Sequence, residues 1–375
     1  MRLAPLLGGI TLACAAALPP SPPQPIRAFP IIMIHPQTPD LRPLVIIEIR
    51  LDDRPIRICA GGDVMLGSDL DTSWAIRRGV RALPDPFALM APLRPLVADA
   101  DIVLLNVEGA IGSGVAPPKC RPGSTSCYAF RQPPVAASAL RSVSVAGAVV
   151  GTVANNHAMD AGAAGFAETV RELERAGVFA TGHDTLPTLV ALPGGDTIAF
   201  LGFSTFQAGP SARDLVGVHR HVRRSAARWR TVVTVHHGAE GVRAQRTADA
   251  TERFLGEDRG NPVAFARTAV QAGAVAVFGH GPHVLRGAAW VRDRPVIHSL
   301  GNLLTYGPFN LAEPLNRGGF ACVTLNRFGN AMAVDFRSTM QVPPGVVQPD
   351  PTSRSAILID SLGRLDFGSN MIRIH

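Results

Sequence analysis

The chain has 375 residues, of which 46% are hydrophobic and 17% are charged, so composition excludes a disordered protein and favours a globular body with a sizeable core. Its formal net charge is +7, but Lys119 is the only lysine and the arginines are scattered among acidic residues. Because nucleic-acid surfaces need clustered cations, nucleic acid is excluded as an expected partner.

The N-terminus predicts an export signal. Met1 and Arg2 precede the apolar stretch LAPLLGGITLACAAAL, and the proline-rich PPSPPQP follows it. Residues 1–18 are therefore interpreted as a signal peptide or a lipoprotein signal, with lipidation at Cys14 and cleavage near AAA as alternatives. Residues 19–43 are rich in proline and are interpreted as a tether. We expect an exported protein, either periplasmic or anchored as a lipoprotein on the outer face of the cytoplasmic membrane.

From about residue 44 the sequence alternates strand-like and helix-like segments. IRICAGGDVML, DADIVLLNVEG and AVVGTVANNH are apolar runs that end in polar residues, and AGFAETVRELERAG predicts an amphipathic helix that ends at Gly177. TIAFLGFST, RTVVTVHHGAE, NPVAFARTAVQAG and AVAVFGHGPH continue as strand, strand, helix and strand, before a hairpin-like tail. This order predicts an α/β protein with one domain over residues 44–340, to which residues 341–375 add strands and turns.

Four cysteines follow the export signal. Cys120 and Cys127 flank the turn-rich segment RPGSTS, which favours a disulfide in an oxidising compartment, with two unpaired loop thiols as the alternative. Cys59 and Cys322 lie in apolar strand-like runs and are interpreted as buried small hydrophobic residues.

Polar side chains that could bind metal recur at the carboxyl ends of five predicted strands. They are Asp63, Asn106 and Glu108, Asn156 and His157, His236, His237 and Glu240, and His280 and His283. In open α/β sheets, ligands bind at this edge. A mixture of imidazole and carboxylate suits Mn, Zn or Fe better than Ca or Mg, so we expect one or two such divalent ions.

Six motifs occur in order: GGDVMLG, LLNVEGAI, ANNHAMDAG, VHHGAE, GHGPHV and HSLGN. Together they resemble the CapA/PgsA-type poly-γ-glutamate capsule synthesis family, which is similar to the calcineurin-like metallophosphoesterases. The resemblance runs from about residue 57 to 305. It implies a metallophosphoesterase-like four-layer α-β-β-α sandwich, with mixed sheets inside and helices outside.

The same resemblance implies roles for individual residues. The implied metal ligands are Asp63, Asn156, His236 and His280 or His283, with Glu108 in the place of a second bridging aspartate. His157 would act beside the leaving group as general acid or electrostatic stabiliser, and Asp160 would orient its ring. Residues implied to support the ligands or contact substrate are Asn106 and Glu240, with Ser299 and Asn302 lining the mouth.

Some positions depart from the related patterns. Met65 stands where the phosphoesterases have a histidine, which weakens one metal position. Ser68, His237 and Gly281 stand where the capsule family commonly has arginine, tryptophan and histidine, and the missing arginine puts recognition of an anionic substrate in doubt. His237 is adjacent to His236 on a strand, so we expect it to pack on the opposite face.

The stretch GTVANNHAMDAG has a second interpretation beside metal binding. Asn155 is expected to be a turn or supporting residue, and the polar turn from Asp160 to Gly162 is expected to cap the next helix.

Three functions remain open from the sequence. The first is a metal-dependent hydrolase that acts on a phosphoester or an amide in capsule or poly-γ-glutamate metabolism. The second is a non-catalytic accessory protein, and the third is a general periplasmic phosphoesterase. Expected partners are an anionic polymer such as poly-γ-glutamate, or an envelope precursor, together with a membrane synthase complex.

Overall fold

A computed structural model of the chain describes residues 54–70, 72–76, 78–121 and 127–374. The predicted export signal, Cys14 and the proline-rich tether lie outside these residues. Within the described part, we find no helix with the length and hydropathy needed to cross a membrane.

Strands and helices alternate along most of the chain. The strands are β1 (Ile56–Met65), β2 (Ile102–Val107), β3 (Ala110–Ile111), β4 (Arg131–Gln132), β5 (Ala148–Thr152), β6 (Val178–Thr181), β7 (Thr188–Ala191), β8 (Thr197–Ser204), β9 (Arg230–His236), β10 (Arg253–Phe254), β11 (Glu257–Asp258), β12 (Ala274–His280), β13 (Ala288–Val291), β14 (Arg294–Ile297), β15 (Asn302–Thr305), β16 (Arg317–Leu325), β17 (Ala331–Val342) and β18 (Val346–Pro349). The α-helices are α1 (Ser73–Ile76), α2 (Pro86–Met90), α3 (Val135–Arg141), α4 (Gly162–Arg175), α5 (Leu215–Ala226), α6 (Pro262–Gln271) and α7 (Arg354–Phe367).

The first large sheet is mixed and has β1 near its centre. Its order is β18-β17-β16-β1-β2-β5-β6, and β15 pairs with the end of β1. β1, β2, β5 and β6 are parallel, whereas β16, β17 and β18 are antiparallel to their neighbours. The residues of β2 are all buried, which explains why its sequence IVLLNV is a nearly continuous apolar run.

The second large sheet has the order β13-β14-β12-β9-β8-β7. Its four inner strands are parallel, and β7 and β13 pair antiparallel at the two edges. Helix α5 connects β8 to β9, and α6 lies between β9 and β12 in the chain, so these strands end at one edge of the sheet.

Alternating side chains show how the layers pack. Val103 packs with the helices outside the first sheet, whereas its neighbour Ile102 packs with Phe200 of β8 between the two sheets. Leu201, next to Phe200, packs with Val218 of α5 outside the second sheet. The structure therefore has helix, sheet, sheet and helix layers, and the predicted four-layer sandwich of mixed sheets is confirmed.

The end of the chain differs from the prediction of strands and turns. Residues 346–349 do form a strand, but Arg354–Phe367 form helix α7. Ala356, Ile359 and Gly363 are buried at helical spacing on one face of α7, and the first two belong to the core between the sheets. The prediction was wrong because this helical period was overlooked.

Both cysteine pairs of the described chain form disulfides, Cys59 with Cys322 and Cys120 with Cys127. The interpretation of Cys59 and Cys322 as unpaired hydrophobic residues was wrong. The two residues are 263 positions apart, but they are direct partners in the antiparallel register of β1 and β16. Two disulfides are typical of an extracytoplasmic protein.

Removing the buried disulfide should destabilise the fold. We expect the double substitution Cys59→Ala and Cys322→Ala to lower the free energy of unfolding by about 2 to 5 kcal/mol, because the bridge closes a very long loop of the unfolded chain. Denaturant unfolding of the oxidised protein measures this change. The matched control, Cys120→Ala with Cys127→Ala, opens a seven-residue separation and should cost less; an equal or larger loss in the control would contradict the argument.

Candidate metal centre

The carboxyl ends of strands from both sheets meet through buried hydrogen bonds. Asn106 Nδ2, at the end of β2, donates to Asp63 Oδ1 at 2.7 Å and lies 3.2 Å from His236 Nδ1 at the end of β9. The glycine before Asp63 permits this arrangement, because a Cβ on Gly62 would lie 2.0 Å from the carbonyl oxygen of Gly301. That close approach also brings Asn302 alongside Asp63 in the register of β1 and β15.

Two histidines, one at the end of β12 and one in the loop that follows, lie against the Asp63 carboxylate. His283 Nδ1 lies 2.9 Å from Asp63 Oδ2, and His280 Nδ1 lies 3.6 Å from Asp63 Oδ1. His283 adopts a left-handed backbone conformation with φ of 57° in the loop after Gly281, and its Nδ1 is also 3.0 Å from Asn302 Oδ1. Both histidines therefore reach the carboxylate, although they are only three residues apart.

Glu108 completes a compact group of charged side chains. Its Oε1 lies 3.8 Å from His236 Nε2 and 3.7 Å from His283 Nε2. Asp63, Glu108 and His283 each offer one ligand atom, and these three atoms lie within 4.8 Å of one another. This buried group could hold a metal ion.

Several atoms of the site have no hydrogen-bond partner among the described residues, although they are buried. They are Glu108 Oε1, Asn156 Oδ1, His236 Nε2 and both ring nitrogens of His280. Folded proteins leave few buried polar atoms unsatisfied, and here four side chains of the candidate site carry such atoms. A cation would satisfy one atom of each side chain that it binds, and the mixture of imidazole nitrogen and carboxylate oxygen fits Zn, Mn or Fe.

The charges of the site reinforce this interpretation. Burial raises the pKa of Glu108, and the charge of Asp63 raises it further. Burial also opposes ionisation of Asp63, but contacts with His280 and His283 outweigh it and hold the pKa of this carboxyl well below its usual range. For His283, the nearby Glu108 and Asp63 outweigh burial and raise the imidazole pKa well above its ordinary value. For both carboxyl groups to be ionised, positive charge must lie nearby, and a divalent ion would supply it.

The pKa of His236 shifts in the direction opposite to that of His283. Burial is the largest effect on its ring and lowers its pKa well below the ordinary value, against the attraction of Asp63. The imidazole is therefore neutral, which is the form that binds metal.

His157 lies on a second chain of polar contacts. Its Nδ1 is 2.7 Å from Asp160 Oδ2, and the same oxygen accepts a 2.7 Å hydrogen bond from the backbone N–H of Phe130. Lys119 donates to the other oxygen, Asp160 Oδ1. Burial lowers the pKa of His157 although Asp160 opposes the shift. These contacts fix the ring and leave Nε2 as the nitrogen available to a ligand.

A cavity of about 270 Å³ lies beside both groups. Its polar lining includes Glu108, Asn156, His157, Glu240, His283 and Asn302. Its apolar lining includes Met65, Tyr128, Phe130, Phe309 and Leu315. Ligand-type atoms and an aromatic surface therefore share one space.

Of the other predicted site residues, Asn155 and His237 lie outside the cavity lining, whereas Glu240 belongs to it. Asn155 Nδ2 donates to Asn106 Oδ1 at 3.1 Å and to Val107 O at 2.8 Å, so it supports the end of β2. His237 packs its ring 5.4 Å from that of Phe265, on the face opposite His236. Glu240 lines the cavity and pairs with Arg259.

Two expectations for this region differ from the structure. Ser299 does not line the mouth, because its fully buried hydroxyl donates to Val284 O at 2.7 Å and so supports the loop after His283. Asp160 does not cap α4, since its carboxylate is used by Lys119, His157 and Phe130. The N-cap of α4 is Ala161, which makes no side-chain capping bond.

The structure shows the surroundings of Met65 and Ser68, two residues that depart from the related sequence patterns. Met65 lines the cavity. Ser68 is buried, and its hydroxyl donates to Ala129 O at 3.1 Å and accepts from Arg131 N at 3.1 Å. The serine therefore supports the neighbouring loop and offers no charge to a substrate.

The sequence interpretation missed Lys119 and the aromatic surface. One feature of the sequence could have drawn attention to Lys119: it is the only lysine in a chain whose other basic side chains, apart from histidine, are arginines. No such feature marks Phe130 and Phe309, since they lie in separate loops that only the fold brings to 5.7 Å between ring centroids.

The fold and the buried donor set define a four-layer α/β protein with a candidate divalent-metal centre between its sheets. The chain belongs to the family described as bacterial capsule synthesis protein PGA_cap, whose model matches residues 57–306. Two uncharacterized proteins of Sinorhizobium fredii, y4sH and y4uA, are each 36% identical over 93 residues, which is 24% of this chain. The match spans only 18% of the length of either relative.

Three solved structures are similar at low identity. TT1561 of Thermus thermophilus has 11% identity and a TM-score of 0.37, covering 73% of this chain and 99% of that one. GAP50, the anchor in the inner membrane complex of Plasmodium, has 8% identity and a TM-score of 0.38, covering 79% and 88%. NAD nucleotidase of Haemophilus influenzae has 10% identity and a TM-score of 0.36, covering 82% and 56%. These distant likenesses concern the fold and carry no argument about activity.

The loop that carries His283 depends on a buried ion pair. Arg286, which is fully buried, donates from Nη1 and Nη2 to the two carboxylate oxygens of Glu252 at 2.8 and 2.7 Å. We expect Glu252→Ala to lower the free energy of unfolding by about 3 to 5 kcal/mol, because it leaves a buried cation unpaired. Thermal or denaturant unfolding measures the loss.

Glu257→Ala is the control for this prediction. Glu257 also pairs with an arginine, but its side chain is 62% exposed. Its removal should cost about 1 kcal/mol or less. Similar losses for the two variants would show that the buried pair does not hold the loop.

Proposed function

We propose that this protein is an exported metal-dependent hydrolase that cleaves a phosphoester or an amide in a capsule or envelope precursor. The observation that carries the proposal is the buried group of Asp63, Glu108 and His283, whose ligand atoms lie within 4.8 Å of one another. Glu108 and His283 line the same cavity as the oriented ring of His157. Membership of the capsule synthesis family supports the substrate class, and the two disulfides support export.

The residues divide into a binding group and a proton-transfer group. Asp63, Glu108 and His283 would hold the ion, with His236, His280 and Asn156 completing its ligands. A bound Zn, Mn or Fe ion would polarise the scissile group and lower the pKa of bound water.

His157 would protonate the leaving group. Asp160 accepts from Nδ1 and therefore directs Nε2 toward the substrate. When the ring carries both protons, Nε2 gives one to the departing oxygen or nitrogen, and the Asp160 carboxylate stabilises the imidazolium. Lys119 donates to Asp160 Oδ1 and holds this carboxylate in place, so it acts as a positioning residue.

Metal content tests the binding group. We expect the purified protein to contain stoichiometric Zn, Mn or Fe, and Asp63→Ala to lose most of it, because Asp63 contacts both His280 and His283. Elemental analysis of the two proteins gives the result. His219→Ala, at an exposed position on α5, should retain the full content. An Asp63→Ala protein with unchanged metal would remove the basis for the proposal.

Hydrolysis of a panel of phosphoesters and amides tests the proton-transfer group. We expect His157→Ala to keep its metal but to lose roughly 100-fold or more in kcat, the usual range for a general acid. Similar turnover of every phosphoester in the panel would favour a general periplasmic phosphoesterase without a link to capsule.

Lys119→Met should reduce kcat and leave both metal content and KM unchanged, since Lys119 acts on His157 only through Asp160. Arg121→Met removes an exposed cation two residues away and serves as the matched control. Equal effects of the two substitutions on kcat would show that general loss of positive charge, and not orientation of His157, is responsible.

Two observations favour a non-catalytic accessory protein as the second candidate. Met65, which offers no imidazole, lines the cavity, and the buried Ser68 offers no charge to an anionic substrate. In that case the protein would bind polymer or a synthase complex equally well after its metal has been stripped, and it would hydrolyse nothing in the panel.

The mass of the mature protein would distinguish lipidation at Cys14 from cleavage near AAA.

A further inference from the structure

One wall of the cavity consists of three aromatic rings. Tyr128 and Phe130 have ring centroids 6.1 Å apart, and Phe309 lies 6.0 Å from Tyr128 and 5.7 Å from Phe130. Phe130 is buried, whereas Tyr128 is 42% exposed, so the wall runs from the interior toward the mouth. We call these three residues the aromatic wall.

The aromatic wall begins at the candidate proton donor. The centroid of the Phe130 ring is 4.3 Å from that of His157. Because His157 would protonate the leaving group, the part of the substrate that departs lies against this wall. Glu108, Glu240 and His283 line the same cavity.

The charge of the cavity does not suit a run of anionic groups. Among the described residues, the lining includes Glu108 and Glu240 but neither lysine nor arginine. The nearby cations are already paired, Lys119 with Asp160 and Arg259 with Glu240 and Glu257. Among the described lining residues, a polyanion would therefore meet no lysine or arginine, and the two glutamates would repel it beside a bound metal ion.

Resting on the proposed function, we propose that the substrate carries an aromatic ring on its leaving group, and that Tyr128, Phe130 and Phe309 hold this ring beside His157. Flat rings stack favourably on aromatic side chains, and the wall offers mainly apolar surface. The cavity of about 270 Å³ has room for one such ring beside the reacting group.

Binding of non-hydrolysable phosphonates tests the proposal without any chemical step. The full-length protein is loaded with Mn²⁺ or Zn²⁺, and calorimetry measures its affinity for phenylphosphonate, butylphosphonate and methylphosphonate, which share one acidic group. We expect phenylphosphonate to bind roughly tenfold more tightly than the other two, the size of a typical aromatic contact. Phe309→Ala and Tyr128→Ala should each reduce that preference and leave the affinity for methylphosphonate unchanged.

Phe328→Ala is the matched control, because Phe328 is 68% exposed and is absent from the cavity lining. It should keep the full preference for phenylphosphonate. Equal affinities for all three phosphonates, including no detectable binding of any, would overturn the proposal. Tight binding of butylphosphonate would overturn it too, since that result shows general apolar burial and not a ring site.

A second measurement separates this proposal from the proposed function. Retention of the phenyl preference by a protein that hydrolyses nothing would overturn the hydrolase function and leave the ring site in place. Hydrolysis without any preference for phenylphosphonate would overturn the ring site and leave the hydrolase function in place. Tighter binding of a γ-linked glutamate oligomer than of phenylphosphonate would also overturn the ring site, because it would make the polyanion the better ligand.

Discussion

The site depends on two buried carboxylates held close together. Asp63 and Glu108 are almost inaccessible to solvent, and burying like charges in a protein interior is costly unless positive charge compensates them. In this structure the compensation falls on His283, because burial keeps the neighbouring His236 ring neutral. A bound divalent ion would take over that role and free His283 to act as a neutral ligand. The free energy of metal binding would therefore also stabilise the fold.

This arrangement exists only when both sheets are packed together. The first sheet supplies Asp63 and Glu108, the second supplies His236 and His280, and Asn106 contacts side chains from each. The shared apolar core between the sheets thus fixes the distance between the carboxylates and the imidazoles. A disturbance of that core would move ligands that are themselves unchanged.

The sequence predicts the sheet edge well, because each ligand-type residue follows an apolar strand and parallel strands end together. It does not predict the pairing of Cys59 with Cys322, which requires the antiparallel register of β1 and β16. The contact of Lys119 with Asp160 is equally hidden, since a loop brings together residues 41 positions apart. Helix α7 is a different case: its helical spacing is present in the sequence and was overlooked. The roles implied for the ligands come from the family resemblance.

Phe130 links the aromatic wall to the candidate proton donor, His157. The ring of Phe130 contacts His157, and its backbone N–H bonds Asp160, the group that orients His157. The aromatic wall and the direction of the proton donor therefore depend on the same segment, next to the Cys120–Cys127 disulfide. Because aromatic side chains also exclude water from the ring, they contribute to the burial that lowers the pKa of His157. A leaving group that covers this wall would deepen the burial, so the protonated form of His157 would depend still more on the Asp160 carboxylate beside Nδ1.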